Sequence, residues 1–415
     1  MALLCFLMPF FSKQSKQFQD DEGGDDGGQG MLQHFVSLET AGQQVANSEE
    51  VAYRKLKQLF APFVLRRKKV DVLSQILPAK TYKLAAVDLE PRARELYNDI
   101  IAQHVKAKKA KKASITEHLF TTLRKAATHP LLLRTRHTSP EAIDYLADLM
   151  FKWDAFRGDA CTKERIAQEI KDYSDFDIHL HALELSEGSV LKRQKLERFI
   201  LTDQDLFESA KFMKLREMLP ALIENGHRVL IFSVWTSSLD LLGCLLQHMG
   251  FDFRRMDGQT PVSERQAHID EFNENASIPV FLLSTKACGL GINLTSADTC
   301  IMYDIDLNPF NDLQAEDRCH RIGQTKPVTI IKMVSKDTVD FDIYDMQERK
   351  KKMNAAIMES SSDWSKQEKK AKAEVLKSVV DRFLTSPPSN ARTDVEKENV
   401  QNGSLKPKQE VIDLI

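Results

Sequence analysis

The sequence predicts an α/β fold with a parallel sheet, preceded by a mostly helical region. Short, mainly apolar runs typical of strands occur at residues 229–232, 279–283, 299–303 and 328–334. Helical patterns separate these runs, and strands that alternate with helices are typical of a parallel sheet covered on both faces. From about residue 47 to residue 200 the pattern is instead mostly helical, with long charged stretches.

The flanking segments have a different composition. Residues 19–30 are acidic and glycine-rich, which predicts a flexible surface loop. After about residue 360 apolar residues become rare, which predicts a disordered tail. Two helix starts are also predicted, a capping box at residues 263–266 and an N-cap at Thr338.

Composition limits the classes of function. The 415 residues, 42% of them apolar, allow two to three domains with sizeable cores. The formal net charge of −2 means that any contact with nucleic acid depends on a local patch. The 6 cysteines form no Cys-x-x-Cys pair, which argues against a zinc site and a disulfide framework and favours a reducing compartment. Residues 1–11 are apolar but lack a basic leader and are too short to cross a bilayer, so we expect neither a signal peptide nor a membrane anchor.

The first candidate site follows the apolar run that ends near residue 283. Residues 284–293 read Ser-Thr-Lys-Ala-Cys-Gly-Leu-Gly-Ile-Asn, so the chain turns through Gly289 and Gly291 directly after a predicted strand. Such a turn displays backbone amides and small hydroxyls at a strand end, which predicts an edge that faces phosphate groups. Thr285 and Lys286 are the candidate contacts, and an ordinary strand end is the alternative.

A second candidate site lies at residues 312–324, which read Asp-Leu-Gln-Ala-Glu-Asp-Arg-Cys-His-Arg-Ile-Gly-Gln. Arg318 and Arg321 are three residues apart, beside His320, and on a helix this spacing places both guanidinium groups on one face. Paired arginines suit a phosphoryl group in transfer, because planar guanidinium groups stabilise charge on its oxygens. The alternative is two exposed arginines that pair with nearby carboxylates.

Taken in order, these segments resemble a known family. Residues 284–293 and 312–324 are similar to motifs V and VI of the second RecA-like lobe of helicase superfamily two, and residues 320–324, His-Arg-Ile-Gly-Gln, mark its Swi/Snf-type chromatin-remodelling branch. Residues 229–239 resemble motif IV, and residues 123–130, Leu-Arg-Lys-Ala-Ala-Thr-His-Pro, resemble the region between the lobes. The sequence at residues 281–284 and 304–309 is similar to that of the SMARCAD-like group. Cys288 and Leu307 depart from the family pattern, which has a small glycine and often an aromatic residue there.

The resemblance implies roles for individual residues. Arg318 and Arg321 would reach the γ-phosphate of ATP across the cleft between two lobes, as catalytic residues. The cofactor-binding candidates are Gln314, which would couple the lobes, together with Gly289, Gly291 and Asp306. The nucleic-acid candidates are Thr285, Lys286, Thr236 and Ser237. Thr236 and Ser237 could equally cap the helix that follows the first strand, and Asp304 and Asp306 could be loop caps.

One part of the family pattern is missing. A Walker loop needs glycine followed by lysine, and none of the 16 glycines of this chain precedes a lysine. We therefore expect a C-terminal portion of such an enzyme, in which ATP and Mg²⁺ are held mainly by a first lobe outside the chain. Alone, the chain is expected not to hydrolyse ATP.

The resemblance also implies a domain plan and a function. Residues 1–90 would be the end of the first motor lobe and a linker, 91–208 a helical protrusion and brace, 209–358 the helicase C-terminal RecA-like lobe, and 359–415 the disordered tail. The implied function is that of the second motor lobe of an ATP-dependent translocase acting on duplex DNA and nucleosomes in the nucleus. A strand-separating helicase and a catalytically inactive DNA- or partner-binding regulatory fragment are the alternatives.

Two further segments have weaker functional interpretations. Residues 105–112 contain five lysines, which predicts either a solvated helix face or contact with nucleic acid or the nuclear-import machinery. The C-terminal residues 410–415, Glu-Val-Ile-Asp-Leu-Ile, resemble a SUMO-interacting motif, in which Val411, Ile412, Leu414 and Ile415 would add a strand to a partner's sheet.

Overall fold

The computed structural model describes residues 73, 76–109, 116–153, 162–286, 291–356 and 364–385. The chain divides into two compact units, Met1–Ile76 and Leu77–Ile415, and all labelled helices and strands belong to the second. The acidic loop at 19–30, the motif at 410–415 and residues 110–112 of the lysine cluster lie outside the described residues. None of the helices described is both long enough and apolar enough to cross a bilayer.

The described strands form one parallel sheet of six strands in the order β1-β6-β5-β2-β4-β3. Their bounds are β1 Lys80–Val87, β2 Val229–Ser233, β3 Phe253–Met256, β4 Val280–Ser284, β5 Thr299–Met302 and β6 Val328–Ser335. The four predicted strands are β2, β4, β5 and β6, so the predicted α/β fold with a parallel sheet is confirmed. β1 and β3 were not predicted, because the first half of β1 is polar and exposed and β3 contains two arginines.

Helices precede the central strands and connect them. Before β2 they are α1 Pro91–Lys109, α2 Thr116–Thr128, α3 Pro140–Lys152, α4 Lys163–Ile170, α5 Asp175–Ser186, α6 Val190–Leu196, α7 Asp203–Phe207 and α8 Ala210–Glu224, with short 3-10 helices at Pro130–Leu132 and Glu197–Phe199. After β2 they are α9 Thr236–His248, α10 Val262–Glu274, α11 Pro309–Glu316, α12 Val339–Ala356 and α13 Trp364–Thr385.

Both faces of the sheet are covered. Alternate side chains of β2 enter different cores, with Leu230 and Phe232 on one side and Val229 and Ile231 on the other, and all four are fully buried. The first core also contains buried residues of α1, α2, α12 and α13, and the second contains those of α8 and α9. This explains why the strands read as continuous apolar runs.

Helices α3 to α6 have a separate core. Met150, Ile178 and Phe199 are buried there, among other side chains of the same helices and of the 3-10 helix Glu197–Phe199. Each of these four helices begins with a side-chain N-cap that accepts a hydrogen bond from a backbone amide of the helix. The N-cap residues are Ser139, Thr162, Ser174 and Ser189. These helices therefore form a self-packed insertion between α2 and β2.

The C-terminal region differs from the predicted disordered tail. Residues 364–385 form α13, and Ala371, Val375, Leu376 and Val379 of this helix are buried in the first core. The apolar residues are sparse, but their spacing places them on one helix face, which can pack against α2 and α12. The domain bounds at 90, 208 and 358 remain predictions, and β1 lies in the same sheet as the later strands.

The two predicted helix starts have different outcomes. Thr338 is confirmed as a cap, because its Oγ1 accepts a hydrogen bond from the amide of Asp340 at 3.2 Å. The capping box at Ser263 is wrong, because α10 already begins at Val262 and its N-cap residue is Pro261. The proline ring restricts Pro261 to a φ of −54°, which suits the start of a helix one residue earlier than the serine pattern indicates.

Candidate functional site

The candidate site lies at the carboxyl edge of the sheet, where three neighbouring strands end. β5, β2 and β4 are adjacent, so the segments that follow Met302, Ser233 and Ser284 meet at one edge. The amide of Thr285 donates to the carbonyl oxygen of Ser233 at 3.0 Å, which joins two of these segments. In open parallel sheets this edge is where ligands bind, as the sequence analysis assumed.

Asp304 holds the β2 and β5 segments together. Its Oδ1 accepts from the amide of Val234 at 2.8 Å, and its Oδ2 accepts from the hydroxyl of Ser233. Burial raises the pKa of Asp304, against the opposing charge of Arg124 on α2. Arg124 also donates from Nη2 to the carbonyl oxygen of Ile305 at 2.6 Å. The carboxylate of Asp304 therefore acts as a loop support.

Asp306 has the geometry of a loop cap. Its Oδ1 accepts from the amide of Asn308 at 2.8 Å and its Oδ2 accepts from the side-chain amide of Asn311 at 3.0 Å. Both carboxylate oxygens are thus engaged at the start of α11. A contact of Asp306 with nucleotide remains a prediction.

The two arginines lie in a turn, not on a helix. Helix α11 ends at Glu316, and residues 317–321, which contain Arg318 and Arg321, follow it as turns and bends. The helical expectation was wrong, because α11 ends before either arginine. Asp317 forms its C-cap, and Gly323 adopts a φ of +105°, a backbone that favours glycine. We call residues 317–323 the arginine turn.

The arginine turn nevertheless brings both guanidinium groups to Gly291. Arg321 donates from Nη1 to the carbonyl oxygen of Gly291 at 2.6 Å, and a Cβ placed on Gly291 would lie 3.9 Å from Nη1 of Arg318. Arg321 is exposed, whereas Arg318 is 8% exposed and its Nε has no hydrogen-bond partner among the described residues. Gly291 itself has a φ of +70°, which explains the glycine. Gly289 and Cys288 lie outside the described residues.

His320 and Gln324 support the turn from within the fold. Nε2 of Gln324 donates to the carbonyl oxygens of Ala297 at 2.7 Å and Cys319 at 3.0 Å, and its Oε1 accepts from the amide of Lys326 at 2.9 Å. The ring Nε2 of His320 lies 2.9 Å from the carbonyl oxygen of Pro78. Two residues of the His-Arg-Ile-Gly-Gln string therefore have structural contacts, and its arginine contacts Gly291.

The other predicted contacts are distributed around the same edge. Lys286 and Thr236 are exposed, and Ser237 is half-buried. Thr285 is 7% exposed, and its hydroxyl has no hydrogen-bond partner among the described residues. Thr236 and Ser237 are the first two residues of α9, whose N-cap is Trp235, so neither occupies the capping position. Gln314 is exposed on α11.

Several polar residues near the site gave no signal in the sequence. Lys80 and Tyr82 of β1 both contact the buried Glu316, at 2.7 Å and 2.9 Å. On α8, Lys211 donates to Asp340 at 2.7 Å, and the side chains of both are almost fully buried. The partners in each pair are more than 100 positions apart in the sequence. No local sequence pattern could therefore have indicated that they are in contact.

Two family models match the chain. The model of the SNF2-related domain matches residues 1–135, and that of the helicase conserved C-terminal domain matches residues 210–323. The protein Chromatin Remodeling 19 of Arabidopsis thaliana is 39% identical over 335 residues, which cover 77% of this chain and 43% of that protein. The chain belongs to the Swi/Snf-type, SNF2-related family. This confirms the resemblance predicted from the motifs.

Other members of the SNF2-related family show the same relation. The human protein named SWI/SNF-related matrix-associated actin-dependent regulator of chromatin subfamily A containing DEAD/H box 1 is 36% identical over 359 residues, covering 85% of this chain and 32% of that protein. The crystal structure of the C-terminal part of the Fun30 ATPase domain matches with a TM-score of 0.63 and 29% identity, covering 74% of this chain and 99% of that one. The RecA-like fold of the helicase C-terminal lobe is thereby confirmed. The chain spans less than half of the length of these curated relatives.

Proposed function

We propose that this chain is the second motor lobe of an ATP-dependent DNA translocase that remodels nucleosomes in the nucleus. The convergence of Arg318 and Arg321 on Gly291, at the carboxyl edge of a RecA-like sheet, is the observation that carries the proposal. The family relationship supports it, since the relatives are named as regulators of chromatin or as an ATPase domain.

The two arginines would act on the γ-phosphate of ATP. Nucleotide with Mg²⁺ would be held mainly by the first lobe, and it would supply the phosphoryl group and the charge-neutralising metal. Arg321 presents an exposed guanidinium group, and Arg318 has a buried Nε without a partner among the described residues, so both have hydrogen-bonding capacity for anionic oxygens. In such sites an arginine stabilises the charge that develops on the transferred group.

The DNA contacts would lie on the same edge. Lys286 supplies an exposed positive charge, Thr285 a hydroxyl without a partner among the described residues, and the Gly289–Gly291 turn, Thr236 and Ser237 would follow the phosphate backbone. Contacts to phosphates position a protein without reading the base sequence. Closure of the two lobes around ATP and its reversal after hydrolysis would then shift the position of the lobe on duplex DNA.

ATP hydrolysis with and without duplex DNA tests the proposal. This chain should be compared with a chain extended by the upstream genomic reading frame, and activity is expected only in the extended protein with DNA. Arg321→Ala should lower the kcat of the extended protein by about a thousandfold or more, as loss of an arginine finger does. Arg254→Ala is the matched control, because Arg254 lies on β3, the edge strand opposite β1, and pairs with Glu271 of α10.

A second function follows from the sequence. None of the 16 glycines precedes a lysine, which favours a catalytically inactive fragment that binds DNA or partners. The absence of hydrolysis in both proteins, with DNA binding retained, would establish this alternative. Binding of SUMO through Val411, Ile412, Leu414 and Ile415 is a separate proposal, and deletion of residues 410–415 should abolish retention on a SUMO column.

A further inference from the structure

The arginine turn is held by a strand that lies far away in the sequence. β1 is one of the two edge strands of the described sheet and pairs in parallel with β6. Three contacts join β1, and Pro78 just before it, to the arginine turn and to Glu316, the last residue of α11. The carbonyl oxygen of Pro78 lies 2.9 Å from Nε2 of His320, Nζ of Lys80 lies 2.7 Å from Oε2 of Glu316, and the hydroxyl of Tyr82 donates to the same Oε2 at 2.9 Å.

The negative charge of Glu316 is paired with the positive charge of Lys80 on β1. Its side chain is fully buried, and its other oxygen, Oε1, has no hydrogen-bond partner among the described residues. Burial lowers the pKa of Lys80, but the charge of Glu316 and the hydrogen bonds to Glu316 and Tyr82 together outweigh burial and leave the pKa of Lys80 raised, so the lysine stays charged. A buried carboxylate needs such partners, because an unpaired one is strongly unfavourable.

Glu316 in turn anchors the backbone of the turn. Its carbonyl oxygen accepts from the amide of His320 at 3.3 Å and from Sγ of Cys319 at 3.3 Å. The carbonyl oxygen of Arg318, two residues after Glu316, accepts from the amide of Leu294 at 3.1 Å, close to Gly291. Glu316 and the arginine turn are thus joined by hydrogen bonds to the carbonyl oxygen of Glu316.

We propose that Lys80 and Tyr82 are positioning residues for Arg318 and Arg321. The segment that enters the lobe at β1 holds Glu316, and Glu316 fixes the place where the arginine turn presents its guanidinium groups. The catalytic consequence rests on the proposed function, whereas the mechanical link between β1 and the turn does not. A movement of β1 relative to the sheet would thus reach the catalytic arginines.

Hydrogen exchange measured by mass spectrometry on this full chain tests the mechanical link. Tyr82→Phe removes one hydrogen bond to a buried carboxylate, and the amides of residues 317–323 should exchange about tenfold faster, as expected for a charge-assisted bond. Tyr173→Phe is the matched control, because Tyr173 donates to Glu169 at 3.4 Å within the self-packed insertion. It should leave the turn unchanged.

A second variant tests the same link without leaving an unpaired buried charge that could unfold the chain. Lys80→Met alone leaves the charge of Glu316 buried, whereas Lys80→Met/Glu316→Gln removes both charges and keeps similar side-chain volumes. The double variant should also speed exchange in the turn. Unchanged exchange in both Tyr82→Phe and the double variant would overturn the proposal, and so would an equal increase across all strands of the sheet.

Steady-state kinetics of the extended protein test the catalytic consequence. Tyr82→Phe should lower kcat about tenfold with little change in the KM for ATP, because a displaced arginine mainly weakens transition-state contacts. If exchange in the turn rises while kcat is unchanged in an active protein, the positioning role is refuted. If no protein hydrolyses ATP but exchange in the turn rises, the mechanical link stands and the proposed ATPase function fails.

Discussion

Replacement of His129 should remove part of the acid sensitivity of the fold. His129 precedes the 3-10 helix Pro130–Leu132 and is 1% exposed. Its Nδ1 accepts from the amide of Leu131 at 3.2 Å, so Nε2 carries the proton and donates to the carbonyl oxygen of Leu206 at 3.1 Å. Protonation of Nδ1 would break the first of these bonds. His129→Asn keeps an acceptor near the position of Nδ1.

The magnitude follows from the pKa of His129. Burial lowers it from 6.5 to about 4, partly offset by the hydrogen bond to Leu206. The unfolded chain therefore binds a proton between these two values while the folded chain does not, and stability falls as pH falls through this window. At about pH 5 the linkage relation predicts a loss of about 2 kcal/mol from this histidine alone, relative to about pH 7.5.

Urea unfolding at the two pH values measures this loss. The free energy of unfolding of the natural chain should fall about 2 kcal/mol more than that of His129→Asn between about pH 7.5 and about pH 5. Burial also lowers the pKa of His137 and His179, but both remain in the variant, so their effect cancels in the comparison. An equal loss of stability in the two proteins would refute the assignment of this acid sensitivity to His129.

Three further predictions concern stability, each measured by urea unfolding. Lys211→Met should cost about 3–5 kcal/mol, because it leaves the buried carboxylate of Asp340 without its cation; a cost below about 1 kcal/mol would contradict this pairing. Leu376→Ala on α13 should cost about 2–5 kcal/mol, whereas Leu384→Ala on the same helix should cost little. Equal small effects of the two leucines would show that α13 does not pack on the lobe. Gly323→Ala should cost at least about 1 kcal/mol because of the φ of +105°, and a neutral result would argue against this backbone.

Local pattern was sufficient for the strands that lie inside the sheet. β2, β4 and β5 are buried on both faces, so each residue of these strands is selected for burial and the apolar run is visible in the sequence. Among the described strands β1 pairs only with β6, and four of its residues in succession are exposed. An edge strand is held mainly by backbone pairing, which leaves little trace in side-chain composition. The same applies to α13, whose few buried residues lie among many charged ones.

The candidate site divides in a similar way. The motifs named Arg318, Arg321 and Gly291, and the structure brings these three together although its turn replaces the expected helix. Residue type and spacing carry that information because the chemistry of phosphate contact demands particular side chains. The catalytic role of Arg318 and Arg321 remains a prediction, as do the roles of the other candidate residues, which are Gly289, Gly291, Gln314, Asp306, Thr285, Lys286, Thr236 and Ser237.

The sequence alone thus determined the parallel α/β fold, the family and the arginines of the site, since each depends on residues that are close together in the chain. The contacts of β1 with Glu316, just before those arginines, depended on the tertiary structure. Tyr82 and Glu316 are 234 positions apart, and no local periodicity relates them. Their contact exists only because β1 pairs beside β6 and a buried carboxylate at the end of α11 requires a partner there.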